Sequence, residues 1–312
     1  SLESLAPFFY LNKRNKKNIY VFSTEREALE FYNNFSNFVP ESSHFPAWDT
    51  LSYDSFIPSL EIQGKRLQTL HNILVNDSFD VAMSIKSFTQ KIFFNDLDVI
   101  DLQVSQEVDF ENLTENLTYL GYINKDRVES RGTFSIRGGQ IDIYPLNNEY
   151  PARIIFNGDE IAELKLFDYI SQRSIKNIKK VLVTPSSELF QTNQEDIYKS
   201  LEIESKKNLD EYELFQFSQN LENFKTLLDF VPDELSINII DFNVCKETFS
   251  EIKKIEEDSF NNLQKFFSLN ISKMKSRYVD TFTEINKYET TFYSTNDLEN
   301  ISNVPQFLDG LS

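Results

Sequence analysis

Glycine is scarce in this chain of 312 residues, and its placement divides the chain. Of seven glycines, five (Gly121, Gly132, Gly138, Gly139 and Gly158) fall between positions 121 and 158. Glycine takes positive φ at little steric cost, so it marks tight turns and bulges. The middle of the chain therefore reads as short strands joined by turns, and the flanks as longer elements. No glycine precedes Gly64, and Gly64-Lys65-Arg66 lacks both an upstream glycine and a following Ser or Thr. A phosphate-cradling loop needs those glycines so that its backbone N–H groups can close on the phosphates. The chain has no P-loop.

The flanks alternate strand and helix. Asn18–Phe22 reads as a buried strand, followed by a helix with Thr24 as its cap and Glu27 three residues on, the pattern of a capping box. Ala28, Phe31, Phe35 and Phe38 recur on one face of that helix. A second helix is expected over Leu60–Leu74, with Leu60, Leu67, Leu70 and Leu74 inward. A strand follows at Asp80–Ser84, then a short helix through Phe94. Such alternation implies a parallel sheet with covering helices.

In the middle, a strand near Val99–Val104 precedes a helix capped by Asp109 and ending at Gly121. Period-2 runs then cover Tyr122–Glu129, Gly132–Arg137, Gln140–Tyr144, Ala152–Phe156 and Glu160–Phe167, an antiparallel meander. The last 130 or so residues are acidic and helix-rich, with a strand at Ile237–Asp241 that could rejoin the first sheet. The expected organisation is an α/β domain (1–96 with 186–312) interrupted by an α+β insert (97–185) with an antiparallel sheet.

A net charge of −18 argues against broad nucleic-acid binding, which needs a positive surface. The charge is uneven: residues 121–180 hold ten Lys/Arg against eight Asp/Glu, while 181–312 hold twelve against twenty-four. One cysteine, Cys245, excludes an internal disulfide framework. No membrane-length apolar run or signal peptide is present, so a cytoplasmic location is expected. His44 and His71 lack metal-ligand spacing, and Glu256-Glu257-Asp258 reads as a solvated helix. Neither a metal, a cofactor nor a catalytic residue is expected. Trp48 and Cys245 read as core residues, and Lys13-Arg14 with Lys16-Lys17 as a solvated basic turn.

The run Arg127-Val128-Glu129-Ser130-Arg131-Gly132-Thr133-Phe134-Ser135-Ile136-Arg137-Gly138-Gly139-Gln140-Ile141-Asp142-Ile143-Tyr144-Pro145 closely resembles the domain shared by UvrB and the transcription-repair coupling factors. The resemblance continues through Pro151-Ala152-Arg153-Ile154-Ile155-Phe156, Gly158-Asp159-Glu160-Ile161 and Phe167-Asp168. Ser171-Gln172-Arg173-Ser174 is similar to the coupling-factor version. Upstream, Phe45-Pro46-Ala47-Trp48-Asp49-Thr50-Leu51-Ser52-Tyr53-Asp54 resembles that family's signature, and Thr226–Pro232 its returning portion.

The resemblance implies a degenerate helicase-like (RecA-like, P-loop-derived) α/β domain split by an insert that binds UvrA. It also implies that other domains of the parent factor can mask that surface. RNA polymerase and DNA would be reached only through parts of the parent outside this chain. UvrB itself fits less well: Tyr53-Asp54-Ser55-Phe56 runs straight on to Pro58, leaving no room for a tyrosine-rich hairpin. Two other readings are a residual UvrB-like ATPase and an autoinhibitory docking module.

By the resemblance, Arg137 and Arg153 contact UvrA, with Arg131 and Arg127 as further candidates. Asn157 stands where relatives often carry an aromatic or apolar residue, which would weaken or move a rim contact. Arginine's planar fork suits carboxylates across an interface. Alternation along the strands puts Thr133, Ser135 and Arg137 on one face, opposite Phe134 and Ile136. Arg153 and Ile155 likewise oppose Ile154 and Phe156, so both arginines are expected on an exposed sheet face. The bland alternative is that they merely solvate it or pair with Asp142 or Glu160.

Overall fold

A computed structural model describes residues 2–12, 16–51, 56–94, 96–190, 194–201, 214–215, 218, 224–232, 234–263 and 276–294. Lys13-Arg14 of the basic turn and the Tyr53-Asp54-Ser55 run lie outside these. The chain divides into two compact units: residues 1–57, 69–92 and 194–312 make the first, and 58–68 with 93–193 the second. The segment 58–68, which the sequence reading puts in the first domain, thus groups with the second unit.

The first unit is built on five parallel strands in the order β13-β12-β1-β3-β2. They are β1 (Lys17–Phe22), β2 (Ser43–Phe45), β3 (Phe79–Ser84), β12 (Ser236–Ile240) and β13 (Glu289–Tyr293). The late strand β12 does rejoin the first sheet, pairing Ile19 with Ile237 and Val21 with Ile239. β1, β3 and β12 are buried along nearly their whole length, as a parallel sheet covered on both faces requires.

Helix α1 (Leu2–Asn12), for which the sequence reading has no element, and α2 (Glu25–Phe35) pack into a cluster with Tyr20, Phe22 and Ala82. The capping box is present: Thr24 N donates to Glu27 Oε2 (3.1 Å) and Glu27 N to Thr24 Oγ1 (3.3 Å). Phe38, expected inward, is exposed, because α2 ends at Phe35. The helix after β3 stops early, as α4 (Ile85–Phe88). Thr226 caps a 3-10 turn, and α7 (Phe242–Leu263) follows β12. Trp48 is buried against Phe215, with the Arg277 guanidinium 4.9 Å above its ring.

The second unit carries a six-stranded sheet in the order β10-β9-β8-β7-β6-β5, and a separate pair, β11 (Lys180–Val183) with β4 (Ile100–Gln103). Its members are β5 (Ile123–Asn124), β6 (Thr133–Ile136), β7 (Gln140–Ile143), β8 (Ala152–Asn157), β9 (Glu160–Phe167) and β10 (Ser174–Ile178). Strands β6 to β10 are antiparallel, but β5 runs parallel to β6, so the meander does not extend to its first strand. Helix α5 (Phe110–Tyr119), capped by Asp109, lays Leu113 and Leu117 on one face of the sheet beside Phe134, Ile141, Ile143, Ile154 and Leu164.

Helix α3 (Leu60–Val75) reaches both units in sequence; its first nine residues belong to the second. Leu67 and Leu70 are buried, but Leu74 is 47% exposed and Ile73 takes the inward position instead. Within the second unit, Arg66 and Glu188 form a fully buried ion pair, Nε to Oε1 at 2.8 Å. Gln63 accepts from Glu188 N at 3.0 Å. Helix α6 (Gln194–Leu201) is the remaining helix of at least eight residues among those described. None of the helices described is long and apolar enough to cross a membrane.

Candidate protein-docking face

Alternation along a strand sends successive side chains to opposite faces. In the second unit one face is sealed by α5. The other face carries the residues that the sequence singles out, and cross-strand register orders them in rows. One row is Ser135–Asp142–Arg153–Lys165–Asn177, running over β6, β7, β8, β9 and β10. The next is Gln140–Ile155–Glu163, with Arg137 beside Gln140 across the hairpin. On the other side, Thr133 meets Tyr144 through Tyr144 N→Thr133 O, and Phe167 lies on β9 next to Lys165's row.

This face is not open throughout, contrary to the sequence expectation. Thr133 is buried, and Ser135 is only 2% exposed. Two loops, at 125–131 and 168–173, fold over that end, and Val128, Tyr144 and Phe167 form a small core there with Tyr169 against it. Arg127 Nη2 donates to Ile170 O (2.6 Å) and Gln172 Nε2 to Val128 O (3.2 Å), tying the loops together. The sequence pattern registers alternation, but not what lies on top of it. Ile136, expected inward with Phe134, is 38% exposed because it sits at the open end.

The five arginine and asparagine candidates consequently separate. Arg137 is exposed, at the start of a two-residue hairpin Gly138-Gly139, with Arg137 N→Gln140 O at 2.9 Å. Gly138 has φ +59°, which a residue with a β-carbon rarely adopts. Arg137 Nη2 donates to Asp126 O at 2.7 Å. Asn157, also exposed, ends β8 in the turn to β9, and Phe156 N→Gly139 O (2.9 Å) sets the hairpin tip against that end of β8. Arg137 and Asn157 thus share the open end of the sheet.

Arg153 is different. Its Nε and Nη2 donate to the two oxygens of Asp142 at 2.8 and 2.9 Å, a bidentate fork, and its guanidinium lies 4.6 Å over the Phe167 ring. The bond to Asp142 raises the Arg153 pKa, and the side chain is 17% exposed. Pairing with Asp142, one of the alternatives open at the sequence level, is what the structure contains.

Arg131 and Arg127 lie toward the covered end. Arg131 Nε and Nη2 both donate to Asn148 O (3.3 and 3.1 Å), over the Tyr144 ring. Arg127 also meets Glu129 at 3.4 Å. Both brace loops. Two residues outside the sequence candidates stand beside Arg137 at the open end, each half-buried: Gln140, and Ile155, which the alternation places on Arg153's face. The Gly-Gly turn alone sets Arg137 opposite Gln140. Nothing local sets Ile155 beside Gln140, because that register depends on how the connection over 144–151 folds.

Residues 100–189, which carry this face, match the family described as the UvrB interaction domain. Beyond that segment the chain is similar to transcription-repair coupling factors. One from Staphylococcus aureus is 26% identical over 303 residues, covering 86% of this chain and 25% of its own length. One from Escherichia coli is 28% identical over 167 residues, covering 52% of this chain and 14% of that protein. UvrABC system protein B of Thermosipho africanus is 25% identical over 224 residues, 66% of this chain and 34% of that protein. The resemblance read from the 127–145 run therefore holds, and it extends over most of the chain. The chain spans about a third or less of the length of these relatives.

Proposed function

We propose that this chain is a non-catalytic docking module of a transcription-repair coupling factor, and that it binds UvrA through the open end of the six-stranded sheet. The match of residues 100–189 to the UvrB interaction domain carries this reading. Binding recruits nucleotide excision repair to stalled RNA polymerase, with polymerase and DNA engaged by other parts of the parent factor. Arg137, exposed at the hairpin, supplies the cationic contact, while Gln140, Ile155 and Asn157 form its surroundings. Arg153 sets the middle of the face, and Arg131 and Arg127 hold the loops at its covered end.

The first unit is, on this reading, a helicase-like scaffold without nucleotide chemistry. In nucleotide-binding α/β domains the helix after the first strand offers its N-terminus to phosphate. Here that helix, α2, opens with Glu25 and Glu27. Glu25 Oε1 accepts from Ala47 N (2.9 Å) and Ser84 Oγ (2.6 Å), and Glu27 Oε2 from Thr24 N and Ser23 Oγ (2.6 Å). Glu27 takes the Ser23 hydroxyl and Thr24 N–H of the turn before α2, Thr24 takes the Glu27 N–H, and the charge of the two carboxylates disfavours a phosphate there.

Calorimetric titration with UvrA tests the docking, with Arg137→Ala as the diagnostic variant. An arginine at the centre of an interface costs roughly 1–4 kcal/mol on truncation. A folded wild type that does not bind UvrA removes the proposal. ATP that raises the melting temperature of the wild type removes the claim of an inert first unit.

A further inference from the structure

We infer that Asp142 is a positioning residue of the docking face, acting on the partner through Arg153. This rests on the docking function proposed above.

The Asp142 side chain is 1% exposed, and its carboxylate receives three donors: Arg153 Nε, Arg153 Nη2 and Gln140 Nε2, the last at 2.9 Å. Ser135, directly across the strand pair, sends nothing to it, and its buried hydroxyl has no partner among the described residues. The carboxylate is therefore committed to the two residues that border Ile155, one on its own strand and one across the pair. A buried carboxylate is tolerable only while such partners are in place. The constraint is mutual: Asp142 fixes both Arg153 and Gln140, and Phe167 supports the guanidinium from below.

The arrangement restricts what Arg153 can do. Of its five N–H donors, Nε–H and one on Nη2 are consumed side-on by Asp142. A partner carboxylate can meet only Nη1 and the second Nη2 hydrogen, end-on, and only if the plane stays where Asp142 holds it. Arg153's charge is already balanced, so its contribution to docking is orientation and shape. Arg137, exposed and donating to the backbone carbonyl of Asp126, pairs with no carboxylate among the described residues and brings the charge. The docking face thus pairs one neutralised arginine, locked flat, with an exposed arginine at the hairpin.

The test is UvrA affinity for wild type, Asp142→Asn, Arg153→Ala, Arg153→Lys and the Asp142→Asn/Arg153→Ala double variant, each checked for native thermal unfolding. Asn keeps the shape of Asp142 but replaces one acceptor with a donor and removes the charge, so Arg153 loses its fork. The expected result is weakening by roughly tenfold in Asp142→Asn, matched by Arg153→Ala. The double variant should be no weaker than the worse single, because one residue acts through the other. Arg153→Lys keeps the charge but cannot span both oxygens, and should bind no better than Arg153→Ala.

Tighter binding by Asp142→Asn would show that Asp142 competes with the partner for Arg153, and would overturn the inference. So would additive losses in the double variant, or wild-type affinity in Arg153→Lys. The Arg153 Nε–H resonance in the free protein reads the fork independently of UvrA; it should be sharp and slowly exchanging, and collapse in Asp142→Asn. A wild type with that resonance that fails to bind UvrA removes the docking function itself. A wild type that binds UvrA without the protected resonance removes the role of Asp142 alone.

Discussion

Gly64 sits inside α3, where helix propensity says that alanine should be better by about 1 kcal/mol. The structure reverses that sign. A β-carbon on Gly64 would lie 2.3 Å from Leu146 O, 2.4 Å from Leu146 C and 2.8 Å from Asn147 N, all backbone atoms. Ordinary contact begins near 3.4 Å, so the helix or the 145–148 turn must retreat by about 1 Å. Neither is free to do so. Leu146 is buried, and Asn147 Nδ2 donates to Gln68 Oε1 (2.7 Å) and Leu182 O (3.3 Å). Overpacking costs roughly 1–3 kcal/mol, and losing a side-chain bond adds about 1 kcal/mol. Against the propensity gain of about 1 kcal/mol, Gly64→Ala should lose roughly 1–3 kcal/mol. For a unit of about this size that is a melting shift of roughly 4–8 °C per kcal/mol. Thermal and urea unfolding followed by circular dichroism measure it, with Gly139→Ala as the control. A β-carbon there meets only Phe156 O at an ordinary 3.6 Å, so its effect should stay within about 0.5 kcal/mol. A Gly64→Ala protein as stable as wild type, or more so, would refute the close approach as the reason for this glycine.

Three further outcomes are expected. Arg66→Leu strands Glu188 in the interior and should cost about 3–5 kcal/mol in urea unfolding, much of it recovered when Glu188→Leu is added. Burial pushes the Glu25 carboxyl up, but its contacts with His44, Ser84 and Ala47 N–H outweigh that and hold its pKa below the usual carboxylate range. Its stabilisation is therefore complete above the unfolded pKa near 4.3 and lost as pH falls through the lower folded value. The stability gap between wild type and Glu25→Gln should be flat from neutral pH to about 5 and close on further acidification; a gap that widens in acid would reverse the assignment. Burial, with Glu27 and Asp241 adding, pushes the Cys245 thiol up to about 12, so a thiol reagent at pH 8 should react only as fast as the protein unfolds.

The features legible in the sequence are those settled within a few residues. Thr24 and Glu27 satisfy each other's backbone donors across one helical turn, and Asp109 caps α5 through Asn112 N at 2.7 Å. The Gly138-Gly139 hairpin fixes Arg137 opposite Gln140, and hence Ser135 opposite Asp142. The inward positions Ala28, Phe31, Phe35, Leu67 and Leu70 follow from a period of 3.6 residues, as the buried pattern of β1 follows from a run of apolar side chains. These need no knowledge of the rest of the chain, because the partners are already adjacent.

Whatever depends on partners far apart in sequence was decided by the tertiary structure. Ser135 and Thr133 alternate correctly for an outward face, yet they are buried, because loops from 125–131 and 168–173 cross over them. Arg153 has the residue type of an interface arginine; only the register of β7 against β8 puts Asp142 against its fork. Gly64 reads as a weak spot in a helix until Leu146 arrives 82 positions later in the chain and occupies the space a side chain would need. Local propensity and periodicity are properties of neighbouring residues, whereas pairing, covering and close approach are properties of the packed chain, and they settled which arginine is held in a fork and which is exposed.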